Sequence, residues 1–576
     1  MQRIASVELD APRFAATLSS DRALGALLLL VVGALTLVPV AYVLVESFDV
    51  AGTAEPYRFG LSSWIETFSN PRTLNSIGYS ILLAVRIPMG IVIAFCVAWL
   101  LIRVQVPGHA FIERALWFGF FLPVLPMTMG WILLLDSNYG LLNGLLQRLP
   151  FIDGPVFSIY SATGIIWVHL SLSTVPVMVI LLAPALRQMD AAIEEAADMC
   201  GSHILTTLRR ITVPLIAPAV LTAFIFAFIR SLEVFEVEQL LGTPVGIQVY
   251  ATRIYDLVTW DPPLYPQAMA LSALFLAILF GIALAYQHFL KRLSGRATIT
   301  GKGMRLQPRL RGKWAYVASG VLLLYVGVSI LLPLTILILG SFNRLFGFFF
   351  IPDPWTASHW ANVFSSTDFT RATVNSIVLG LISGLLGTVF YALIAWVLVR
   401  TPIRGRDTVA LLTWLPWAIP GLVLGVTLSN IMLNVPLVSA LYGTMVPLVL
   451  AMIIKDMPIG VQMLRTALHQ VSGELEESAQ MSGAGFLRIF RRITLPLIAP
   501  MCVAVFLLMF MSTLRDISTV VLLASPGTRT LSLLMFQFAT ASRLESAAVI
   551  GVIIALISLL FTSIAFKIGI RMNVER

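Results

Sequence analysis

The chain has 576 residues, of which 58% are hydrophobic and only 12% carry a charge, whereas soluble globular proteins have about 25% charged residues. Apolar runs of roughly 20 residues recur from end to end, and each run is long enough to cross a hydrocarbon core of about 30 Å. This composition excludes a soluble globular protein and predicts an all-α polytopic membrane protein. The formal net charge of +9 does not indicate nucleic-acid binding, because the basic residues lie between the apolar runs.

Twelve apolar runs are predicted to span the membrane. They lie near residues 23–45, 75–102, 115–135, 159–186, 211–242, 267–290, 314–341, 373–399, 408–435, 440–468, 493–524 and 546–570. The first run is too long for the apolar region of a signal peptide and precedes no small-residue cleavage site, so we expect it to be retained. A short segment, residues 1–22, precedes it, and a basic linker, residues 291–313, separates the sixth run from the seventh. Proline inside several runs marks places where a spanning helix can break.

The basic residues indicate which way the chain faces. If the amino terminus is inside, the inner segments hold far more Arg and Lys residues than the outer loops, and the linker alone holds eight. Positive residues accumulate on the cytoplasmic side of membrane proteins. We therefore expect a multi-pass protein with both termini and the linker in the cytoplasm.

Two polar segments recur at a fixed separation between the apolar runs. The first contains Glu194-Glu195-Ala196-Ala197, Gly201, Arg209-Arg210 and Pro214; the second contains Glu476-Glu477-Ser478-Ala479, Gly483, Arg491-Arg492 and Pro496. The offset in residue number that separates Gly201 from Gly483 also separates every other matching pair. The charge bias predicts that both copies face the cytoplasm. A charged segment copied with invariant spacing is typical of a docking surface rather than of a membrane span.

Each copy is predicted to contain an amphipathic helix, over residues 192–208 and 474–490. Apolar or small residues share one helical face, the acidic pair lies near the start and the arginine pair lies near the end, as the helix dipole favours. Gly201 and Gly483 lie within that face, although glycine inside a helix costs about 1 kcal/mol relative to alanine. Their repetition indicates a bend or a close backbone contact. The alternative is a helix that lies flat on the membrane with its charges in water.

The two halves also match outside these segments. Thr73-Leu74-Asn75-Ser76-Ile77 recurs as Thr373-Val374-Asn375-Ser376-Ile377, and Pro176 recurs as Pro458. Because each half has six runs, both halves would cross the membrane in the same sense. We therefore expect two parallel six-helix repeats, one in residues 23–290 and one in residues 314–576, around a central pathway.

Glu195-Ala196-Ala197, followed at the family's spacing by Gly201, Ile211 and Pro214, resembles the EAA loop of permease subunits in bacterial ABC importers. The second copy has Ser478 where the family usually has alanine, and serine is small enough to keep the contact. Two such loops in one chain resemble the fused permeases of ferric-iron and thiamine importers, and the resemblance covers nearly the whole chain. It implies the fold of a type I ABC importer permease in a bacterial inner membrane.

The resemblance also implies the partners. Two copies of a cytoplasmic ABC ATPase would each hold one EAA loop in a groove, and a periplasmic or extracellular substrate-binding protein would deliver the cargo. Glu195, Gly201, Glu477 and Gly483 would carry the ATPase contact. The sequence contains no G-x-x-x-x-G-K-[ST] phosphate loop and no metal-ligand spacing among its six histidines. We therefore expect no catalysis and no cofactor in this chain, with ATP and Mg bound by the partner ATPase.

Charged residues within the apolar runs are a further candidate site, because ionisable groups at membrane depth are costly and usually face a pathway or a partner. The fifth and eleventh runs contain Arg230, Glu233, Glu236, Arg515 and Asp516. Glu233 and Arg515 occupy equivalent positions of the two copies and could therefore pair across the pseudo-two-fold axis of the repeat. One interpretation is a static ion pair that locks the halves together. The other is a polar lining or gate for the cargo.

The cargo is predicted from the resemblance alone. The fused pattern and residues 240–256 are most similar to permeases for ferric iron, while thiamine, polyamine, phosphonate and sugar-phosphate importers share the architecture. A secondary transporter is the alternative class of protein. It would require a buried carboxylate pathway and would not account for two copies of a docking segment.

Overall fold

The computed structural model describes residues 11–51, 56–294, 312–401 and 405–567. Residues 1–10 of the predicted amino-terminal segment, 295–311 of the predicted linker and 568–576 of the predicted second repeat lie outside the described residues. Within the described ranges the chain is helical, and its β-structure is limited to two isolated bridges, Asp49 to Phe59 and Asn343 to Trp355. The prediction of an all-α fold is confirmed.

Nine helices in the described ranges are long and apolar enough to cross a membrane, and three further spans consist of two helices joined at a bend. The nine are span 1 (Gly25–Glu46), span 2 (Pro71–Arg103), span 4 (Ala162–Gln188), span 6 (Tyr265–Ile282), span 7 (Lys313–Gly340), span 8 (Thr367–Arg400), span 10 (Val446–Gln470), span 11 (Leu487–Arg515) and span 12 (Leu544–Ile564). The bent ones are span 3 (His109–Phe121 and Val124–Leu135), span 5 (Ile204–Leu215 and Ala217–Glu233) and span 9 (Arg406–Ala418 and Gly421–Asn434). All twelve predicted runs coincide with these spans, so the chain is a multi-pass membrane protein.

Shorter helices and widened turns complete the fold. The short helices are Ser62–Ser69, Leu141–Leu146, Ala191–Met199, Tyr250–Thr259, Ser358–Phe364, Glu474–Met481 and Leu531–Thr540. The π-helical turns are Leu170–Thr174, Leu208–Thr212, Glu238–Gly242, Gly327–Leu331 and Phe490–Thr494. A π-helical turn inserts an extra residue into an α-helix and is frequent at functional sites.

Spans 3 and 9 are sharply bent, and the prolines within these runs allow such a break. The two helices of span 3 meet at 104° and those of span 9 at 101°. Pro123 follows Leu122, which has an extended backbone (φ −64°, ψ 133°), and Pro420 follows Ile419, which is also extended (φ −106°, ψ 107°). Proline disfavours the helical conformation at the residue before it and has no N–H to donate. The prolines therefore produce the same kind of break in both halves.

The chain forms two compact units. One comprises Met1–Val45, Ile377–Ile419 and Thr427–Thr513, and the other comprises Glu46–Ser376, Pro420–Val426 and Leu514–Arg576. Span 1 thus belongs to the same unit as spans 8 and 10, whereas span 12 belongs to the same unit as spans 2 to 7. The division into residues 23–290 and 314–576 describes the sequence repeat, and its use as a division into domains stays a prediction.

Spans 2 and 4 pack against each other in the core of the larger unit. Ala94 and Ala98 of span 2 are fully buried in the same cluster as Met178 of span 4. A Cβ atom at Gly90 would lie 2.5 Å from the methyl group of Thr174, so glycine is required for this close approach. The two spans therefore form a tightly packed pair.

Candidate functional site

We name residues 190–214 and 472–496 the first and second EAA segments. Neither segment forms the single helix predicted over residues 192–208 or 474–490. Each segment contains two short helices: Ala191–Met199 and Ile204–Thr207 in the first, Glu474–Met481 and Phe486–Ile489 in the second. Gly201 and Gly483 separate them, with φ of 76° and 78°. This left-handed conformation commonly ends helices and strongly favours glycine. The predicted bend is confirmed, and backbone conformation is its cause, because a Cβ atom at either glycine would meet no atom within 4 Å.

We expect Gly201→Ala to lower the free energy of unfolding by about 1 kcal/mol, because alanine would have to adopt the left-handed conformation. Gly78→Ala is the matched control, since Gly78 lies inside the helix of span 2, also has open space beside it and has no positive φ. Alanine there should stabilise the protein by about 0.5–1 kcal/mol. Denaturant titration in detergent, followed by tryptophan fluorescence, measures both. Equal effects at the two glycines would contradict the conformational explanation.

Glu194 points inward from the first EAA segment and contacts one residue of span 2 and one of span 5. Its Oε2 lies 3.1 Å from Nε of Arg103, the last residue of span 2, and the two side chains are 3% and 1% exposed. Its Oε1 accepts the hydroxyl group of Thr212 at 2.6 Å. Nη2 of Arg103 donates to the carbonyl oxygens of Leu186 (3.1 Å) and Met189 (3.3 Å) at the end of span 4. We name this arrangement the first clamp.

The second EAA segment is held in the same way, by what we name the second clamp. Oε2 of Glu476 lies 3.2 Å from Nε of Arg400, the last residue of span 8, and Oε1 accepts the hydroxyl group of Thr494 at 2.7 Å. Nη2 of Arg400 donates to the carbonyl oxygens of Leu468 (3.2 Å) and Val471 (2.7 Å). The side chain of this arginine is 17% exposed. Two unrelated stretches would not repeat all of these contacts by chance, so the clamp is a property of the repeat.

The chemistry of the clamp follows from burial. A buried carboxylate needs both an opposite charge and hydrogen bonds, and the planar guanidinium of arginine can bind a carboxylate and two carbonyl groups at once. The π-helical turn that carries each threonine has a local cause. Pro214 has no N–H to donate to the carbonyl group of Arg210, so the turn before it widens. Pro496 follows the second π-helical turn at the same distance.

The outward side of each EAA segment carries exposed apolar side chains. The exposed fractions are 90% for Met199, 69% for Leu205, 73% for Met481 and 72% for Leu487. These residues form two matching pairs, one in each segment. Glu195 and Glu477 are exposed on the same segments. Apolar side chains exposed at matching places indicate a surface that another molecule covers.

The structure divides the predicted ATPase-coupling residues into two sets. Glu194 and Glu476 are buried in the clamps. The others are exposed or half-buried: Glu195, Ala196, Ala197, Gly201, Arg209, Arg210, Glu477, Ala479, Gly483, Arg491 and Arg492. Sequence reasoning missed the clamp arginines and threonines. The threonines belong to the duplicated Arg-Arg-Ile-Thr stretch and were therefore detectable, whereas the separation of the two arginines differs from the common offset of the repeat.

Spans 5 and 11 and the residues that follow them contain the predicted pathway or inter-half candidates: Arg230, Glu233, Glu236, Arg515 and Asp516. Arg230 and Glu233 pair within one helix, with 2.7 Å between Nη1 and Oε2. Nη1 of Arg515 donates to the carbonyl oxygen of Phe120 at 2.8 Å. Glu236 is half-buried and Asp516 is buried. The pairing of Glu233 with Arg515, and either role for the five residues, stays a prediction.

The described part of the chain gathers no metal site of the usual ligand types. No three side chains among its His, Cys, Asp and Glu residues are grouped so that they could hold a metal ion. Cys96, Cys200 and Cys502 are free thiols. A metal cargo would therefore meet no preformed cage of these side chains within the described residues.

Comparison with known proteins assigns the part of the chain that contains the second clamp. The family described as binding-protein-dependent transport system inner membrane component matches residues 385–573. This stretch includes span 10, the second EAA segment and Arg400. The match thus covers the carboxyl-terminal third of the chain. The first EAA segment lies outside the match, but its clamp has the same contacts as the permease stretch.

Three of the permeases of similar sequence come from two bacteria. The chain is 26% identical over 362 residues to the putative ferric transport system permease protein FbpB 1 of Haemophilus influenzae, covering 62% of this chain and 56% of that protein. It is 25% identical over 367 residues to the ferric transport system permease protein FbpB of Actinobacillus pleuropneumoniae, covering 62% and 51%. It is 24% identical over 547 residues to the Fe(3+)-transport system permease protein FbpB 2 of Haemophilus influenzae, covering 92% and 96%. The chain thus spans about half the length of the first two permeases and nearly all of the third.

A solved structure also aligns with this chain. It is a bacterial ABC transporter involved in the import of alginate, with a TM-score of 0.39 and 17% identity. The alignment covers 49% of this chain and 99% of that chain. Likeness at this level is too low to support a conclusion about the fold.

Proposed function

We propose that this chain is the permease subunit of a binding-protein-dependent ABC importer. The observation that carries the proposal is the pair of EAA segments, each clamped to its spans on one side and exposing apolar side chains on the other. The family of residues 385–573 and the similarity to a permease over 92% of this chain support it. In this proposal the chain forms the translocation pathway and hydrolyses no ATP itself.

Two ATPase subunits, each a separate chain, would bind one EAA segment each. The exposed apolar pairs would enter a groove on the ATPase, and ATP with Mg would stay on that partner. Because the clamp ties each segment to three spans, a pull on the segment would move these spans together. ATP binding would then switch the spans between two states, as a ligand does when it binds one state more tightly.

The proposal includes the orientation and the organisation of the chain. Both termini and both EAA segments would lie on the cytoplasmic side of a bacterial inner membrane, and a substrate-binding protein would act on the other side. The distribution of Arg and Lys residues supports this orientation. The segment 1–22, the linker 291–313 and the two repeats 23–290 and 314–576 belong to the same proposal.

Ferric iron is the cargo that we propose. Three permeases of similar sequence carry ferric or Fe(3+) transport in their names, and one of them is covered almost completely. Importers of thiamine, polyamines, phosphonates and sugar phosphates are the alternatives within the same class. A secondary transporter is the alternative class, but it gives no reason for two clamped segments with exposed apolar pairs.

We expect proteoliposomes that contain this chain, its ATPase and its binding protein to accumulate radioactive ferric iron only when ATP is present. Uptake should stop when the ATPase or the binding protein is omitted. It should also be sensitive to vanadate, because in this proposal the partner ATPase supplies the energy. An ion gradient without the ATPase is the control. Uptake driven by that gradient alone would identify a secondary transporter, whereas ATP-driven uptake of thiamine or a sugar phosphate instead of iron would overturn the cargo alone.

A further inference from the structure

A second buried charge cluster joins spans 2 and 4 to the segment that follows span 5. Nη1 of Arg86 lies 3.1 Å from Oε1 of Glu238, and Nε2 of His169 lies 3.0 Å from the same oxygen. Nη2 of Arg86 also donates to the carbonyl oxygen of Ser231 at 3.1 Å. The three ionisable side chains are only 1–2% exposed. Because ionisable groups are costly at membrane depth, such a cluster is a candidate for a functional role.

Each member of this cluster lies at an interruption of a helix. Arg86 begins the second helix of span 2, after the first helix has ended at Leu83. His169 immediately precedes the π-helical turn of span 4, and Glu238 opens the π-helical turn after span 5. Helices bend most readily where their hydrogen-bond ladder is interrupted. Three neighbouring segments can therefore bend around one ionic contact.

The counterparts of spans 2 and 4 in the second repeat lack these interruptions. Spans 8 and 10 are single α-helices, Thr367–Arg400 and Val446–Gln470. Proline does not explain the difference, because Pro176 of span 4 has its counterpart in Pro458 of span 10. Extra chain length accounts for the interruption in span 2, because the stretch from Thr73 to Arg103 is longer by three positions than its counterpart, which runs from residue 373 to residue 400.

The second repeat also lacks the charges. Counted back from the clamp arginine, the position of Arg86 corresponds to Ser383, whose hydroxyl group lies 3.2 Å from that of Thr513. Ala451 and Val520 occupy the positions of the histidine and the glutamate. Charges and interruptions thus occur together in spans 2 and 4 and are missing together in their counterparts, spans 8 and 10. This correlation indicates that the charge cluster stabilises the interrupted geometry of spans 2 and 4.

Spans 2 and 4 connect the charge cluster to the first clamp. Arg86 and Arg103 are the first and last residues of one helix, and His169 and Leu186 have the same separation along span 4. At about 1.5 Å per residue, the two members of each pair are about 25 Å apart. Between these ends the helices Arg86–Arg103 and Val175–Gln188 pack tightly against each other. The helix pair is therefore pinned at both ends by a buried arginine–glutamate contact.

We propose that Arg86, His169 and Glu238 are positioning residues that turn spans 2 and 4 into a lever. The lever carries movement of the first EAA segment to the end of span 5, about 25 Å away. This inference rests on the proposed function, because it needs an ATPase that pulls on the segment. In the second repeat the clamp is present without the charge cluster, so that half transmits the same pull through helix packing, without a second buried ionic contact.

The test is the double variant Arg86→Met with Glu238→Leu, which removes both charges with little change in volume. Replacing a buried ion pair by apolar residues is often tolerated, and His169 keeps its contact with the hydroxyl group of Ser173 at 3.2 Å, so we expect the variant to fold. It should bind the ATPase like the wild type, because the first clamp is untouched. The stimulation of ATP hydrolysis by cargo-loaded binding protein should fall by roughly tenfold, as expected for loss of coupling between distant sites. The matched control is Ser383→Ala with Thr513→Ala, which should keep most of the stimulation.

The ratio of stimulated to basal ATP hydrolysis separates coupling from a merely structural role. Unchanged stimulation in the double variant, alongside a wild type that transports, would overturn the lever and leave the proposed function standing. A wild type that shows no ATP-driven uptake would contradict the proposed function itself. If the double variant does not fold, Glu238→Asp keeps the charge but shortens its reach. It should fold with reduced stimulation, and full stimulation would overturn the lever.

Discussion

Glu194→Gln should lower the free energy of unfolding by about 3–5 kcal/mol, because it leaves the guanidinium of Arg103 buried without its carboxylate. Glutamine has nearly the same size and can still accept the hydroxyl group of Thr212, so the loss would report the missing charge rather than a cavity. Denaturant titration of the purified protein in detergent, followed by tryptophan fluorescence, measures it.

The neighbouring residue supplies the control for this prediction. Glu195 is exposed, so Glu195→Gln should change the free energy of unfolding by no more than about 0.5 kcal/mol. Glu476→Gln should fall between the two, since Arg400 is 17% exposed and water can partly solvate it. A larger loss at Glu195 than at Glu194 would mean that the first EAA segment is turned the other way.

Leu205→Asp combined with Leu487→Asp should strongly weaken binding of the ATPase while leaving the fold intact. The two leucines are 69% and 72% exposed, so the spans do not need them. A carboxylate in the centre of an apolar contact should cost at least about 2 kcal/mol, which weakens the affinity of each site about 30-fold. Titration of the detergent-solubilised permease with purified ATPase gives the affinity directly.

Leu437→Asp is the control for this binding measurement. Leu437 is 91% exposed and lies outside both EAA segments, so its replacement should leave the affinity unchanged. Normal ATPase binding by the double leucine variant would contradict the assignment of the EAA segments as docking surfaces. Equal loss of binding in the control would show instead that added negative charge alone repels the ATPase.

The twelve spans could be predicted from composition, because a hydrocarbon solvent demands about 20 apolar residues for each crossing. The sharp bends of spans 3 and 9 were only partly predictable. Prolines marked where a break was possible, but not whether the helix would kink or turn through 104°. In the first EAA segment, the spacing of apolar residues on both sides of Gly201 fits one continuous helix. The spacing alone does not predict that Gly201 adopts a left-handed backbone conformation.

The clamps could not be predicted from the repeated segment alone. Glu194 and Glu195 are both acidic and adjacent, and the choice of which one turns inward depends on an arginine from another span. The two clamp arginines are not separated by the offset that separates Gly201 from Gly483, because span 2 is longer than span 8 over the matching stretch. Contacts between distant segments depend on how helices pack, and a single sequence does not encode that information in its periodicity.

The composition of the two compact units has a consequence for biosynthesis. One unit combines span 1 with residues that begin at Ile377, and the other combines spans 2 to 7 with the carboxyl-terminal span 12. The ribosome synthesises these parts in order, so span 1 is inserted into the membrane before the other helices of its unit have been made. Neither bundle can be completed by the first half of the polypeptide. Assembly of both bundles therefore depends on the second half of the chain, and a chain truncated within residues 295–311 would leave both unfinished.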